Sequence, residues 1–330
     1  MLTETDLELV DAVQVNPRAS WSKIGAILDV SAMTVSRHWA RLVAERVVWS
    51  GSTMGPRLFR GAILEFSCQP GATEDVIDQL CAMPHVFTVA RTTGDFDVYA
   101  LTVAPTPDAL ARSLFGPLQH VQALARRSTV YTRLYGGPHW RLSILNRTQS
   151  EQMRPDAERP LHHVTVDSTD RALFLALAAD ARRSFTELAA ELGETPQSVR
   201  RRLERMRRSG HFALRADMAR PMAGWPLAAL IWASVPHQEL DTVGHHVGSW
   251  SEIRFCAAVV HSSNLLLVVN LRASEHLADI ETRLLAAHPA LTITDRRLVL
   301  RMSKVNGHLL DDEGRTRGVV PVDPWSPSGV

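Results

Sequence analysis

Apolar residues recur at helical spacing three times near the start of the chain: Leu7, Val10 and Val13, then Ile24, Ile27 and Leu28, then Val35, Trp39 and Leu42. Three successive helices are expected. Ser20 stands where the second helix needs an N-cap, with Lys23 three residues on. Leu28-Asp29-Val30-Ser31 reads as a tight turn, in which Asp29 tolerates the left-handed conformation better than most residues and Ser31 caps the third helix. The pattern then returns. Residues 18–28 (RASWSKIGAIL) and 182–192 (RRSFTELAAEL) align without a gap at an offset of 164. The same offset carries Asp6 onto Asp170, Arg18 onto Arg182, Ser20 onto Ser184, Arg37 onto Arg201 and Arg41 onto Arg205. In the second copy Ser184 and Glu187 complete a capping box, Gly193 suits the left-handed turn, Thr195 caps, and Pro196 fits the first helical position.

After each helical part the pattern changes to alternating strands and helices. The first copy reads as strand 61–68, helix 72–83, strands 85–92 and 96–103, helix 107–120 and strand 128–134. The second reads as strand 227–235, a helix around 240–247, strands 252–259 and 264–271, helix 274–287 and strand 291–300. Strand–helix–strand–strand–helix–strand is the ferredoxin-like order, so the fold class is α+β in two tandem units, each a (winged) helix-turn-helix domain followed by a ferredoxin-like domain. NLLLVVN at 264–270 is apolar on both faces, as a strand covered by helices or a second sheet should be. The expected division is a helix-turn-helix domain at 1–55, a β-domain at 58–136 and a linker at 137–165. The second unit gives a helix-turn-helix domain at 166–222 and a β-domain at 225–303, and a flexible tail follows at 304–330.

Composition narrows the function classes. The chain has 330 residues, 45% hydrophobic and 22% charged, which suits several folded domains and excludes wholesale disorder. No apolar run is long enough for a membrane span and no secretory signal is visible at MLTETDLELVD. Cys68, Cys81 and Cys256 are three, far apart and without a C-x-x-C, which points to a reduced, cytoplasmic chain without a disulfide framework or a cysteine zinc site. Net charge is only +1, and Lys23 and Lys304 are the only lysines, so the position of the arginines matters more than their number.

Helix, short turn, helix is the helix-turn-helix arrangement, whose second helix places its outer face in a DNA major groove. On the first copy that face is Ala32, Thr34, Ser36, Arg37, His38 and Arg41; on the second it is Gln197, Ser198, Arg200, Arg201, Arg202 and Arg205. Six arginines lie between Arg200 and Arg208 with only Glu204 opposing them, a cluster suited to phosphates or guanine edges. The two outer faces differ, so the copies should read different bases. Double-stranded DNA is the expected partner.

LTETDLELVDAVQVNPRASWSKIGAIL with VSAMTVSRHWARLV, and their counterparts in the second copy, resemble the Lrp/AsnC (leucine-responsive/asparagine, feast/famine) family of transcription regulators. TTGDFDVYALTV at 92–103 is similar to that family's turn between the second and third strands of the β-domain. The resemblance implies self-association through the β-domains, within one chain, between chains, or both. It also implies an amino acid or other small metabolite bound near Thr92, Thr93, Gly94, Asp95 and Asp97. The bland reading of Gly94-Asp95 is a hairpin turn that needs no ligand. In the second copy the turn is His261-Ser262-Ser263-Asn264, with no counterpart for the glycine and aspartates.

The alternative is an enzyme, since fused sirohaem decarboxylases resemble the same tandem architecture. Their His-Asn-Tyr-type turn is replaced here by Gly94-Asp95-Phe96-Asp97, and no P-loop, G-x-S-x-G or H-E-x-x-H is present. A non-enzymatic chain without cofactor is expected. His237, His245 and His246 lack the further ligands a metal needs, and Trp21, Trp39 and Trp232 read as core.

Overall fold

A computed structural model describes residues 1–55, 60–137, 140–155, 160–162 and 164–326. The start of the first β-domain (58–59), linker residues 138–139, 156–159 and 163, and the last four of the tail lie outside the described residues. The first helical part is α1 (Glu4–Val15), α2 (Trp21–Leu28) and α3 (Ala32–Ala44), followed by a strand, β1 (Val48–Met54). The local signals act as read: Ser20 Oγ accepts from the Lys23 amide, Asp29 sits at φ 55, and Ser31 caps α3. Next come β2 (Arg60–Ser67), α4 (Thr73–Ala82), β3 (Val86–Thr92), β4 (Val98–Ala104), α5 (Pro107–Phe115) and β5 (Ala125–Gly136). A short helix, α6 (Arg147–Met153), precedes the second copy.

That copy is α7 (Ser168–Ala176), α8 (Phe185–Leu192), α9 (Pro196–Arg208) and β6 (Phe212–Met218). Then follow β7 (Leu227–Ser234), α10 (Leu240–Gly248), β8 (Ile253–Val259), β9 (Leu265–Leu271), α11 (His276–Ala287) and β10 (Thr292–Val305). Two short strands, β11 (His308–Leu310) and β12 (Thr316–Val319), complete the chain. Among the described residues no helix is long and apolar enough to cross a membrane.

The two long strands join the halves. β5 pairs with β2 along Ala125–Val130, and with β8 along Tyr131–Gly136. β10 pairs with β7 along Thr292–Val299, and with β3 along Val299–Val305. Together these pairings close a ring in the order β7-β10-β3-β4-β2-β5-β8-β9. Closure leaves neither half with an open sheet edge at the junction. Ile63, Leu101, Trp232, Phe255 and Leu266 pack inside the ring. Outside it, α4 and α5 cover one half around Leu80 and Leu110, and α10 and α11 the other around Val243 and Leu284. Each such side chain contributes roughly 1.5–3 kcal/mol when taken from water. One chain thus holds both halves in a single pseudo-symmetric body.

Two segments differ from the sequence reading. Described residues of the 137–165 linker are part of the first helical core: Trp140, Leu142, Leu145 and Met153 are buried against it. The cause is Asp11, fully buried in α1, which accepts from Arg141 at 3.0 Å and from the amides of Ser143, Ile144 and Leu145. The 304–330 tail is ordered through its described part. Val305 and Leu310 bury against Trp49, whose ring stacks on His308 at 5.5 Å, and Val322 enters the core around Phe174. Lys304 is fully buried, and its Nζ donates to the carbonyls of Cys81 and Met83 at 2.9 Å, at the C-terminal end of α4.

Candidate nucleic-acid interface and effector turn

The third helix of each copy is anchored by its apolar stripe: Val35, Trp39 and Leu42 in α3, and Val199, Leu203 and Met206 in α9. The opposite face is open. Arg37 and Arg201, equivalent at the 164 offset, are both exposed, and neither has an ion-pair partner among the described residues. The other candidates divide. Arg41 donates to Asp6 at 2.6 Å, and Arg205 to Asp170 at 2.5 Å, again an equivalent pair. Arg202 reaches Asp170 at 3.1 Å and Asp167 at 2.8 Å, and its hydrogen bond holds the Asp167 carboxyl below its ordinary range. The carboxylates of Asp6 and Asp170 are 5% and 0% exposed, so these arginines fasten the third helix to the first. Arg200 pairs with Glu204 one turn on, at 3.0 Å, and remains exposed.

The smaller residues sit at the helix starts. Thr34 Oγ1 lies 2.9 Å from Ser31 Oγ, and Ser198 donates its amide to Thr195. Ala32, Ser36 and His38 are half-buried and Gln197 is exposed. Sequence reasoning missed Met33, which is 80% exposed at the position equivalent to Gln197. An apolar side chain there is suited to a thymine methyl.

The two helical parts are held together. β1 and β6 pair antiparallel over their whole length, with Gly51 opposite Arg215. A Cβ on Gly51 would stand 2.4 Å from the Ala178 carbonyl oxygen, so the close approach requires glycine. Arg18 donates to the carbonyls of Ala181 and Arg183 at 2.6 and 2.9 Å. Arg182 donates to those of Pro17 and Ala19 at 2.6 and 2.8 Å. Each guanidinium also covers an aromatic ring of the other copy: Arg18 over Phe185 at 4.3 Å, and Arg182 over Trp21 at 3.6 Å. Burial pushes the Arg182 guanidinium down to about 10 and lowers that of Arg18.

The turn at 92–97 is largely self-satisfied. Thr92 Oγ1 donates to the Phe96 carbonyl at 2.6 Å, and Thr93 Oγ1 accepts from the Leu298 amide at 3.0 Å. Asp97 Oδ2 accepts from the Cys68 amide at 2.7 Å. Gly94 has φ +89, and a Cβ there would lie 3.3 Å from Arg297 Cδ. Asp95 is exposed. Arg297 itself crosses from β10 to Glu65 of β2 at 2.6 Å, both fully buried, so the turn rests on the joint between the halves.

The family model for the AsnC-type helix-turn-helix domain matches residues 2–53 and 166–207. An uncharacterized HTH-type transcriptional regulator of Pyrococcus furiosus is 24% identical over 115 residues, covering 34% of this chain and 78% of its own. The solved structure of the siroheme decarboxylase NirDL, in co-complex with an iron-uroporphyrin III analogue, is 14% identical, with a TM-score of 0.58 over 92% of this chain and 93% of that one. AsnC of E. coli is 20% identical over 42% of this chain and 94% of its own, with a TM-score of 0.37. The NirDL likeness extends to the whole tandem fold; the family model falls on the two helical parts that carry Arg37 and Arg201. The AsnC-type helix-turn-helix domain is therefore present twice in this chain, once in each helical part.

Proposed function

We propose that the chain is a sequence-specific DNA-binding transcription regulator, working in the cytoplasm, in which one polypeptide supplies both reading heads. The observation that carries this reading is the pair Arg37 and Arg201. They are equivalent, exposed and free of carboxylates, on two third helices whose domains are clasped by Arg18 and Arg182. Arg200 and Gln197 extend the second surface, and Thr34, Ser36, His38 and Met33 the first. Arg41, Arg202 and Arg205 act chiefly by orienting these helices. The heads differ at Met33 against Gln197 and at Ser36 against Arg200, so the operator is asymmetric within one chain's footprint. The two ferredoxin-like halves form the intrachain pseudo-dimer, and further association between chains uses their outer faces. An effector at the 92–97 turn would meet Asp95 and the Gly94 backbone, since Thr92, Thr93 and Asp97 are engaged. The test is footprinting on DNA upstream of the chain's own gene. A single asymmetric protected site that loses one side on Arg37→Ala and the other on Arg201→Ala supports the reading; no protection refutes it.

The likeness to NirDL supports an enzymatic second reading by fold alone. Mixing the chain with a tetrapyrrole separates the two: a shifted absorbance band favours the enzyme, an unchanged spectrum the regulator.

A further inference from the structure

The interior of the strand ring is not filled. Where it meets the paired strands β1 and β6 lies a cavity of about 60 Å³. Part of its lining is apolar, including Leu101, Phe255, Val268 and Val299. Three arginines, Arg215, Arg220 and Arg254, complete it, and none of the lining residues is acidic. The nearby carboxylate, Asp217, is already engaged: Arg215 donates Nε at 2.5 Å and Nη2 at 3.1 Å, and Asn306 donates at 2.9 Å. Arg220 reaches Asn270 Oδ1 at 3.0 Å, and Arg254 the Gly137 carbonyl at 2.9 Å. Among the described residues neither has a carboxylate in ion-pair range. Tyr99 lines the same cavity, is 3% exposed, and its hydroxyl has no hydrogen-bond partner among them.

A surplus of buried cations and an orphaned buried hydroxyl both cost stability unless something pairs with them. Burial, reinforced by the Arg215 charge, pushes the Arg254 guanidinium well below its ordinary range. An anion in the cavity would relieve that. We propose that this cavity binds a small organic carboxylate lacking an α-ammonium group, held by Arg220, Arg254 and the Tyr99 hydroxyl, with its carbon chain against Leu101 and Phe255. An amino acid is disfavoured because no free carboxylate faces the cavity to take its ammonium. A second cavity of about 140 Å³ shares Arg220, Val299, Met302 and Val305 with the first, which gives a short chain room to extend. Its carboxylates are engaged, Asp217 as above, Asp311 by the amides of Glu313 and Arg315, and Asp312 by Arg301.

Among the described residues the site occurs once. Strands Val86–Thr92 and Ile253–Val259 correspond at an offset of 167, which sets Arg254 against Phe87, another lining residue. Arg215 corresponds to Gly51. The basic pole therefore belongs to the second half alone. It touches β6, the strand that joins the reading heads; a regulatory consequence rests on the DNA-binding reading, but the binding itself does not.

The test uses the intact chain, thermal unfolding and calorimetric titration, with pyruvate and 2-oxoisovalerate as probes and valine and chloride as controls. The 2-oxo acids should raise the midpoint in a saturable way with one site per chain, and the controls should not. Tyr99→Phe removes only the unpartnered hydroxyl, so it should fold as the parent does and bind about fivefold more weakly. Arg254→Met should abolish binding. The proposal is overturned if neither 2-oxo acid binds the folded parent, if valine or chloride acts equally, or if Tyr99→Phe binds as tightly as the parent. None of these readouts involves DNA, so failure here and failure of the regulator reading are distinguishable.

Discussion

Arg18 and Arg182 exchange hydrogen bonds reciprocally: each guanidinium donates to the two carbonyls that flank the other in sequence. The residues are equivalent in the two copies, so this is one contact made twice about a pseudo-twofold axis. Two bonds from a partly buried cation make Arg182→Ala cost roughly 2–3 kcal/mol. Lysine cannot form the two-pronged contact, so Arg182→Lys should recover little of it. Unfolding of the single variants and of the Arg18→Ala/Arg182→Ala pair checks this. Additive effects of the two would argue that the contacts are independent.

The arginines of the third helices should separate into two groups. Arg37→Ala and Arg201→Ala should leave the unfolding midpoint within error and weaken DNA binding by about 1–3 kcal/mol each where they reach bases. Asp170→Asn should instead destabilise the fold by about 1–3 kcal/mol, because it removes the buried charge that holds Arg205 and one of the two aspartates that hold Arg202. Paired melting and binding curves on the same preparations distinguish the groups. Equal destabilisation by all three substitutions would remove the distinction.

Ring closure predicts how the halves behave alone. A fragment ending near Pro155 exposes the Tyr131–Gly136 half of β5, the free edge of β3 and the whole of β1. It should self-associate or aggregate, as unpaired edges do. Mixing it with the second fragment should restore a one-to-one complex. Light scattering would show this; two stable, monomeric halves would contradict the ring.

Acid should weaken the fold through two buried imidazoles. Burial pushes His308 down to about 4, and burial with the neighbouring Lys304 charge does the same for His85. Both remain neutral when folded and titrate near 6.5 when unfolded. Between pH 6.5 and 4 the unfolded chain binds more protons, so stability falls as pH falls through that window. Each group contributes at most about 1.4 kcal/mol per pH unit. Urea unfolding between pH 4 and 7 should show this slope, and His85→Asn/His308→Asn should flatten it. Imidazole titration of the parent by NMR gives the same answer where the variant folds poorly.

The helical parts were legible because their signals are local: caps at Ser20, Ser31, Ser184 and Thr195, and apolar stripes at helical spacing. The strands of the β-domains were legible for the same reason. What escaped was non-local. VWSGSTM and FALRADM carry no clear alternation and become strands only because they find each other far along the chain. Trp140 and Leu142 are too sparse to suggest a core, yet Asp11 and Gln14 fold their segment onto α1. The same holds for Val305 and Leu310 in the supposed tail. A helical wheel faces Arg41 and Arg205 outward and says nothing of a partner on another helix. The one available hint was that Asp6 and Arg41 recur together as Asp170 and Arg205. The Arg254 site left no sequence signal, since its members come from β4, β6, β8 and the segment after β6.

The most direct test of the central claim is fluorescence anisotropy on labelled DNA from upstream of the gene, against a scrambled fragment, across a salt series. The parent chain should bind the upstream fragment more tightly, with affinity falling steeply as salt rises. Arg37→Ala/Arg201→Ala should lose that preference and flatten the salt slope. Binding that ignores salt, or a double variant that binds as the parent does, would contradict the account.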